Sequence, residues 1–301
     1  MIPPLKGMIR NLNSWLGKPV ATPETDPQRF FGTMLTLPNG DVLVTETNAP
    51  AGNDPGGVTG FFQRVFMRFV GAGQPSPNRL LLLRDAGNGT AGVPVVLRSE
   101  GLSSPSGMAW RDGKLYLANH DAVQVFDYAL GATSISGNPT KIMDLPPSGD
   151  HWMRNLLLSP DGTKLYVAVG SASNIAERGL EAEQRRAAIY ELSLATGHPR
   201  QYAAGMRNPN GMGWNPATGE LWTVVNERDM LGPDLVPDYL TNVPVGAHYG
   251  WPWVYWKDII DTRVDLPMPE YLTDYTRKPE YALGAHTAAL GLLFSLSLIH
   301  I

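Results

Sequence analysis

The 301-residue chain contains no cysteine, which excludes disulfide scaffolds and every zinc or iron–sulfur site built on thiolates. Charge is sparse: only 17% of residues are Asp, Glu, Lys or Arg, against about 25% in an average domain. The balance of 24 basic to 28 acidic residues leaves a net −4, so no basic excess is available for a phosphate backbone and no nucleic-acid partner is expected. Long apolar runs are missing too. The longest apolar-rich stretch, Ala289 to Ile301, has 13 residues, short of the roughly 18 that cross a bilayer. The opening Met1-Ile2-Pro3-Pro4-Leu5-Lys6 lacks the unbroken apolar core of a secretory signal. No phosphate-binding Gly loop, G-x-S-x-G elbow or H-E-x-x-H motif occurs, and no G-x-G-x-x-G sits in a βαβ unit. The six histidines are dispersed, so no local His-based metal site is indicated.

Turn formers and apolar residues are abundant. Gly (32) and Pro (26) interrupt long helices, arguing against bundles and coiled coils, while 43% hydrophobic content supplies a sizeable core and argues against disorder. One pattern recurs, an apolar run, a turn ending in Gly, and a second run of β-formers. It reads Met34-Leu35-Thr36-Leu37-Pro38-Asn39-Gly40-Asp41-Val42-Leu43-Val44, then Gly107-Met108-Ala109-Trp110-Arg111-Asp112-Gly113-Lys114-Leu115-Tyr116-Leu117. It returns at Leu156 to Val167 around Asp161-Gly162 and at Gly211 to Trp222 around Thr218-Gly219. Such turns are hairpin signals because Gly accepts the positive φ they need. The turn glycines stand at 40, 113, 162 and 219, at intervals of 73, 49 and 57. The first interval holds an insertion over 49–77, and without it the spacing approaches the roughly 40–50 residues of a propeller blade. Weaker runs at 79–84, 93–97, 122–128 and 188–192 supply outer strands. The expected fold is all-β, a β-propeller.

Within the insertion, residues 61–70 read as an amphipathic helix with two arginines among aromatics. Packing against the propeller side is favoured over membrane attachment, since ten residues and two charges hold a membrane weakly.

Propeller chemistry gathers where inner strands and their loops converge. Gly149-Asp150-His151-Trp152-Met153-Arg154-Asn155 precedes the third hairpin. Its residues suit a carboxylate (Asp150) orienting a general base (His151), with Trp152 as an apolar platform. They also suit a polar loop whose histidine pairs locally. Gly205-Met206-Arg207-Asn208-Pro209-Asn210-Gly211 precedes the fourth hairpin, and there Arg207 offers a fixed fork to an anion. Asn226-Glu227-Arg228-Asp229 and the residues up to Asp234 cluster oxygens that suit calcium or, equally, a solvated loop.

Taken in order, these strings resemble the soluble quinoprotein sugar dehydrogenases of the glucose/sorbosone dehydrogenase family, six-bladed propellers that carry pyrroloquinoline quinone (PQQ) and calcium. The strings are Leu37 to Val44, His151-Trp152 before Ser159-Pro160-Asp161-Gly162, Arg207 to Gly211, and Val225 to Asp229. Tyr249-Gly250-Trp251-Pro252 and Tyr281 to Thr287 complete them. The closer resemblance is to the L-sorbosone dehydrogenase branch, from about residue 26 to 294. It implies an N-terminal arm (1–26), a partial propeller (27–294) of about four blades plus the start of a fifth, and an atypical tail (295–301). It further implies an oxidoreductase acting on an aldose or sugar aldehyde, an unidentified electron acceptor, and a periplasmic or secreted location. Residue by residue, His151 matches the base, Asp150 the carboxylate supporting it, and Arg207 the stabiliser of the reduced quinone, with Asn208 a neighbouring cofactor contact. The backbone carbonyls of Glu227 and Arg228 match the calcium pair, although the glucose-oxidising branch has Gly-Pro there. Trp251 and His286 read as structural. A calcium-dependent propeller lactonase and a non-catalytic binding scaffold are the competing readings.

Overall fold

The computed structural model describes residues 31–50, 76–87, 90–147 and 149–295. The N-terminal arm, the insertion helix at 61–70 and the last six residues of the expected tail lie outside these. The chain divides into two compact units, Met1–Lys141 and Ile142–Ile301.

The first unit is built on two four-stranded antiparallel sheets, the last strand of the second running across the boundary at Lys141. One runs in the order β1 (Phe31–Thr36), β2 (Val42–Glu46), β3 (Arg79–Leu83), β4 (Val95–Arg98). The other runs β5 (Met108–Arg111), β6 (Lys114–Ala118), β7 (Ala122–Asp127), β8 (Thr140–Asp144). Leu37, Leu43, Leu80 and Leu82 of the first sheet share one core with Met108, Leu115, Leu117 and Phe126 of the second. Each such leucine contributes roughly 1.5–3 kcal/mol on burial.

The second unit repeats the plan with β9 (Arg154–Leu158), β10 (Lys164–Val169), β11 (Ala188–Ser193) and β12 (Pro199–Ala204). A further sheet follows in the order β13 (Asn208–Trp214), β14 (Leu221–Asn226), β15 (Pro237–Asn242), β18 (Tyr281–Ala285). A small hairpin, β16 (Val254–Tyr255) with β17 (Ile259–Ile260), and one helical turn, α1 (Leu272–Tyr275), precede β18. Tyr166 packs edge-on against Trp214, 5.2 Å between centroids, and the Trp214 indole N–H donates to the Leu158 carbonyl at 2.8 Å, tying the two sheets together. Four-stranded antiparallel meanders are the blade unit of a propeller, so the expected four blades are present.

All four turn glycines have positive φ, between 72° and 87°, as hairpin turns demand. The strands following them, β2, β6, β10 and β14, are largely buried. Outer strands β8 (TKIMD) and β12 (PRQYAA) expose half or more of their residues and carry few apolar side chains, so no pattern announces them.

Candidate functional site

Register brings the site residues of the second unit to one end of its sheets. In the β9–β10 pair, Arg154 stands opposite Val169, so the loop before β9 meets the loop after β10. In the β13–β14 pair, Asn208 stands opposite Asn226, so Arg207 meets Glu227. A backbone hydrogen bond from Ser171 N–H to the Arg207 carbonyl, 2.7 Å long, joins the two pairs. Gly170 lies between them. A Cβ there would approach His151 Cβ to 2.5 Å and collide with the Asn208 amide oxygen.

His151 is partly buried. Its Nδ1 lies 2.9 Å from the Ser171 hydroxyl and 3.1 Å from the Ser171 carbonyl. Burial first, then the positive charge of Arg207, pushes the imidazole pKa down to about 3, with Arg154 and Arg186 adding to it. The ring is therefore neutral at pH 7. Buried Arg154 holds the loop by donating through Nη1 to the His151 carbonyl at 2.7 Å. The Asp150 carboxylate, expected to support the histidine, instead pairs with Arg178 at 2.7 Å at an exposed position. Trp152 is partly buried beside this loop in sequence.

Arg207 is buried and spends its guanidinium on three oxygens. Nε donates to the Asn174 carbonyl (3.2 Å), Nη1 to the Glu227 carbonyl (2.6 Å) and Nη2 to the Asp229 carboxylate (2.7 Å). Desolvation lowers its pKa. An asparagine ladder continues from Arg207. Asn208 and Asn210 both donate to Asn226 Oδ1, at 3.4 and 2.6 Å, and Asn155 donates to Asn210 Oδ1 at 3.4 Å.

Glu227 and Arg228 serve charge pairing. The Glu227 carboxylate accepts from the Arg228 backbone N–H and Nε, each at 3.1 Å. Arg228 is fully buried and also reaches Asp261 at 3.1 Å and the Val254 carbonyl at 2.7 Å. Trp251 is buried with its indole N–H on the Asn174 carbonyl at 3.0 Å, and His286 Nε2 lies 3.0 Å from the Gly232 carbonyl.

Sequence reasoning missed Ser171, Asn174, Glu183 and Arg186. Asn174 is a hub, bonding Arg207 and Trp251 through its carbonyl and the Asp229 backbone through its side chain. Arg186 is 6% exposed, and its Nη1 is buried without a hydrogen-bond partner. Nothing near these residues in sequence advertises them. Only the approach of the post-β10 loop to the His151 loop gives them meaning.

The TrAA12-like family model matches residues 83–241, more than half of the chain. The chain belongs to the TrAA12-like family. A structure of the pyranose dehydrogenase PQQ domain from Coprinopsis cinerea, in holo form, is similar in fold to this TrAA12-like chain. The TM-score is 0.68 at 16% identity, covering 91% of this chain and 70% of that one. A calcium structure of a Trichoderma reesei carbohydrate-active enzyme of family AA12 gives a TM-score of 0.65 at 17% identity, covering 85% and 68%. An uncharacterized protein of Borreliella burgdorferi is 26% identical over 212 residues, 64% of this chain and 52% of its own length. The TrAA12-like chain thus spans about half the length of the curated relative it matches.

The similar structures include a PQQ domain in holo form and a calcium structure. PQQ is an anionic quinone with carboxylates. It fits a site where buried Arg186 lacks a partner and where Arg186, Arg207 and Arg154 all bear on a neutral histidine. Calcium does not fit the arrangement at Glu227 and Arg228. The Glu227 carbonyl is taken by Arg207, and the carboxylates of Glu227, Asp229 and Asp261 are taken by guanidinium groups. Among the described residues no three His, Asp or Glu side chains gather as a cation cage.

Proposed function

We propose that this chain carries the cofactor and base site of a PQQ-dependent oxidoreductase acting on a sugar or sugar aldehyde. The observation that carries the proposal is a neutral His151 surrounded by Arg207, Arg186 and Arg154. A base and an anion-binding surface meet there at one end of the blades. Membership of the TrAA12-like family and the likeness to a holo PQQ domain support the choice of cofactor.

Bound PQQ supplies a two-electron acceptor for hydride. His151 Nε2 would take the proton of the substrate hydroxyl while the hydrogen on the same carbon departs with the electron pair of its C–H bond, leaving a C=O bond. Arg207 and Arg186 offset negative charge in a desolvated setting, where such charge–charge interactions are strengthened. Asn208, Asn210 and Asn226 present a pre-ordered polar wall. Trp152, partly buried and next to His151 in the chain, is our candidate for stacking on the sugar ring.

The sorbosone branch remains our choice within this class, on the strings Arg207 to Gly211 and Asn226 to Asp229. A periplasmic or secreted location accompanies it. Calcium at the Glu227 and Arg228 carbonyls would have to share the Glu227 oxygen with the Arg207 guanidinium.

The purified chain would be mixed with PQQ, with and without calcium, and dye reduction followed with aldoses and with sorbosone. PQQ binding with substrate-dependent dye reduction is expected. His151→Gln should lower the rate by roughly 10²–10⁴-fold, the usual worth of a general base, while PQQ binding measured by fluorescence is retained. Absence of PQQ binding, or lactone cleavage without oxidation, would overturn the proposal.

A further inference from the structure

We infer that Ser171, anchored through Glu183, is the positioning residue that fixes the tautomer of His151, and that Asp150 takes no part in it. His151 Nδ1 faces two oxygens of Ser171, the hydroxyl at 2.9 Å and the carbonyl at 3.1 Å. A carbonyl only accepts. The hydroxyl has one proton, and that proton is directed at the Ser173 carbonyl at 2.6 Å, so toward the imidazole it too accepts. Nδ1 must therefore carry the ring proton, and Nε2 holds the free lone pair.

The Ser171 oxygens are held in turn. Glu183 Oε2 accepts from the Ala172 backbone N–H at 2.7 Å, and Oε1 accepts from the Ser173 hydroxyl at 2.6 Å. One buried carboxylate thus fixes the two residues that follow Ser171, and it stands one serine away from the imidazole instead of touching it. This differs from a base backed directly by a carboxylate, where the anion also stabilises the imidazolium. The charged groups bearing on His151 are the cations Arg207, Arg154 and Arg186, and Asp150 is paired with Arg178. In the free protein only the Ser171 carbonyl favours the protonated ring, against burial and three cations, so an anion bound beside Arg207 and Arg186 would strengthen the base. This deepens the reading of His151 as a base and rests on it for its catalytic consequence.

The tautomer is measurable without catalysis, from the imidazole ¹⁵N shifts of histidine-labelled protein, with His151→Gln identifying the signals. Wild type should show a neutral Nδ1–H tautomer at pH 7. Ser171→Asp should move the protonation midpoint upward by roughly one pH unit or more and carry the acid limb of the dye-reduction pH profile with it. Asp150→Asn should move neither. A wild-type Nε2–H tautomer, or an Asp150→Asn shift as large as that of Ser171→Asp, would overturn the inference. The wild-type spectrum decides this even if the Asp variant does not fold. An Nδ1–H tautomer in a protein that neither binds PQQ nor reduces dye would leave the inference standing and remove the oxidoreductase reading.

Discussion

Arg228 and Arg186 are both shut away from solvent, at 0% and 6% exposure, yet their surroundings differ. Arg228 uses every nitrogen of its guanidinium. Nε is on Glu227, Nη1 on the Pro252 carbonyl and Asp261, and Nη2 on the Val254 carbonyl, with the Tyr255 ring 5.2 Å away. Arg186 keeps a buried Nη1 with no partner, and burial pulls its pKa down despite the charge of Glu183, whose oxygens are engaged by Ala172 and Ser173. A buried polar atom left unpaired costs about 1–3 kcal/mol, more when charged. The satisfied arginine therefore belongs to the scaffold, while the unsatisfied one marks a place where an anion would repay its desolvation.

The sharpest way to break this contrast is Arg228→Ala. It strands the Glu227 and Asp261 carboxylates in the interior and should cost about 3–5 kcal/mol, read as a lowered urea midpoint. A loss under about 1 kcal/mol would deny Arg228 its scaffold role. Acid tests the same cluster more gently. Burial alone would raise the Asp261 pKa, but hydrogen bonds from Arg263 and Arg228 outweigh it and hold the value at about 2. A carboxylate depressed in the folded state adds stability that is complete above its unfolded pKa of about 3.8 and is lost as pH falls through the folded value. On the order of 2 kcal/mol should disappear between pH 5 and pH 2, and Asp261→Asn should flatten that part of the stability–pH curve. Arg186→Met gives the smallest effect. Stability should stay within about 1 kcal/mol of wild type, because an unsatisfied charge is removed along with its packing, while PQQ affinity falls roughly tenfold, the worth of about 1.4 kcal/mol. A large destabilisation with unchanged affinity would make Arg186 a second Arg228.

The blades were legible because their turns are local. Gly40, Gly113, Gly162 and Gly219 announce hairpins through backbone chemistry that needs no tertiary context. The buried second strands follow as continuous apolar runs. Strands β8, β12 and β15 were not legible, since one polar face or a leading proline hides them. The site divides in the same way. His151 and Arg207 stand in loops stiffened by Gly and Pro, but the partner of His151 was sought next door at Asp150. Adjacent side chains of extended chain leave on opposite sides, and here one meets Arg178 and the other Ser171. Ser171 and Glu183 lie 20 and 32 positions beyond His151 in the loop between β10 and β11, and only the fold of that loop brings them to it. Clustered oxygens at 226–234 suited a cation until the structure placed Arg207, Arg228 and Arg263 among them.

Gly170 sets a limit on how this site can diversify. With His151 on one side and Asn208 on the other, even a methyl group there would drive the His151 loop and the start of β13 apart together. Their separation is fixed by a hydrogen atom and offers no graded series of substitutions. Under the proposed function, variation in substrate would fall to residues other than this one, while His151 and Asn208 keep their spacing as a pair.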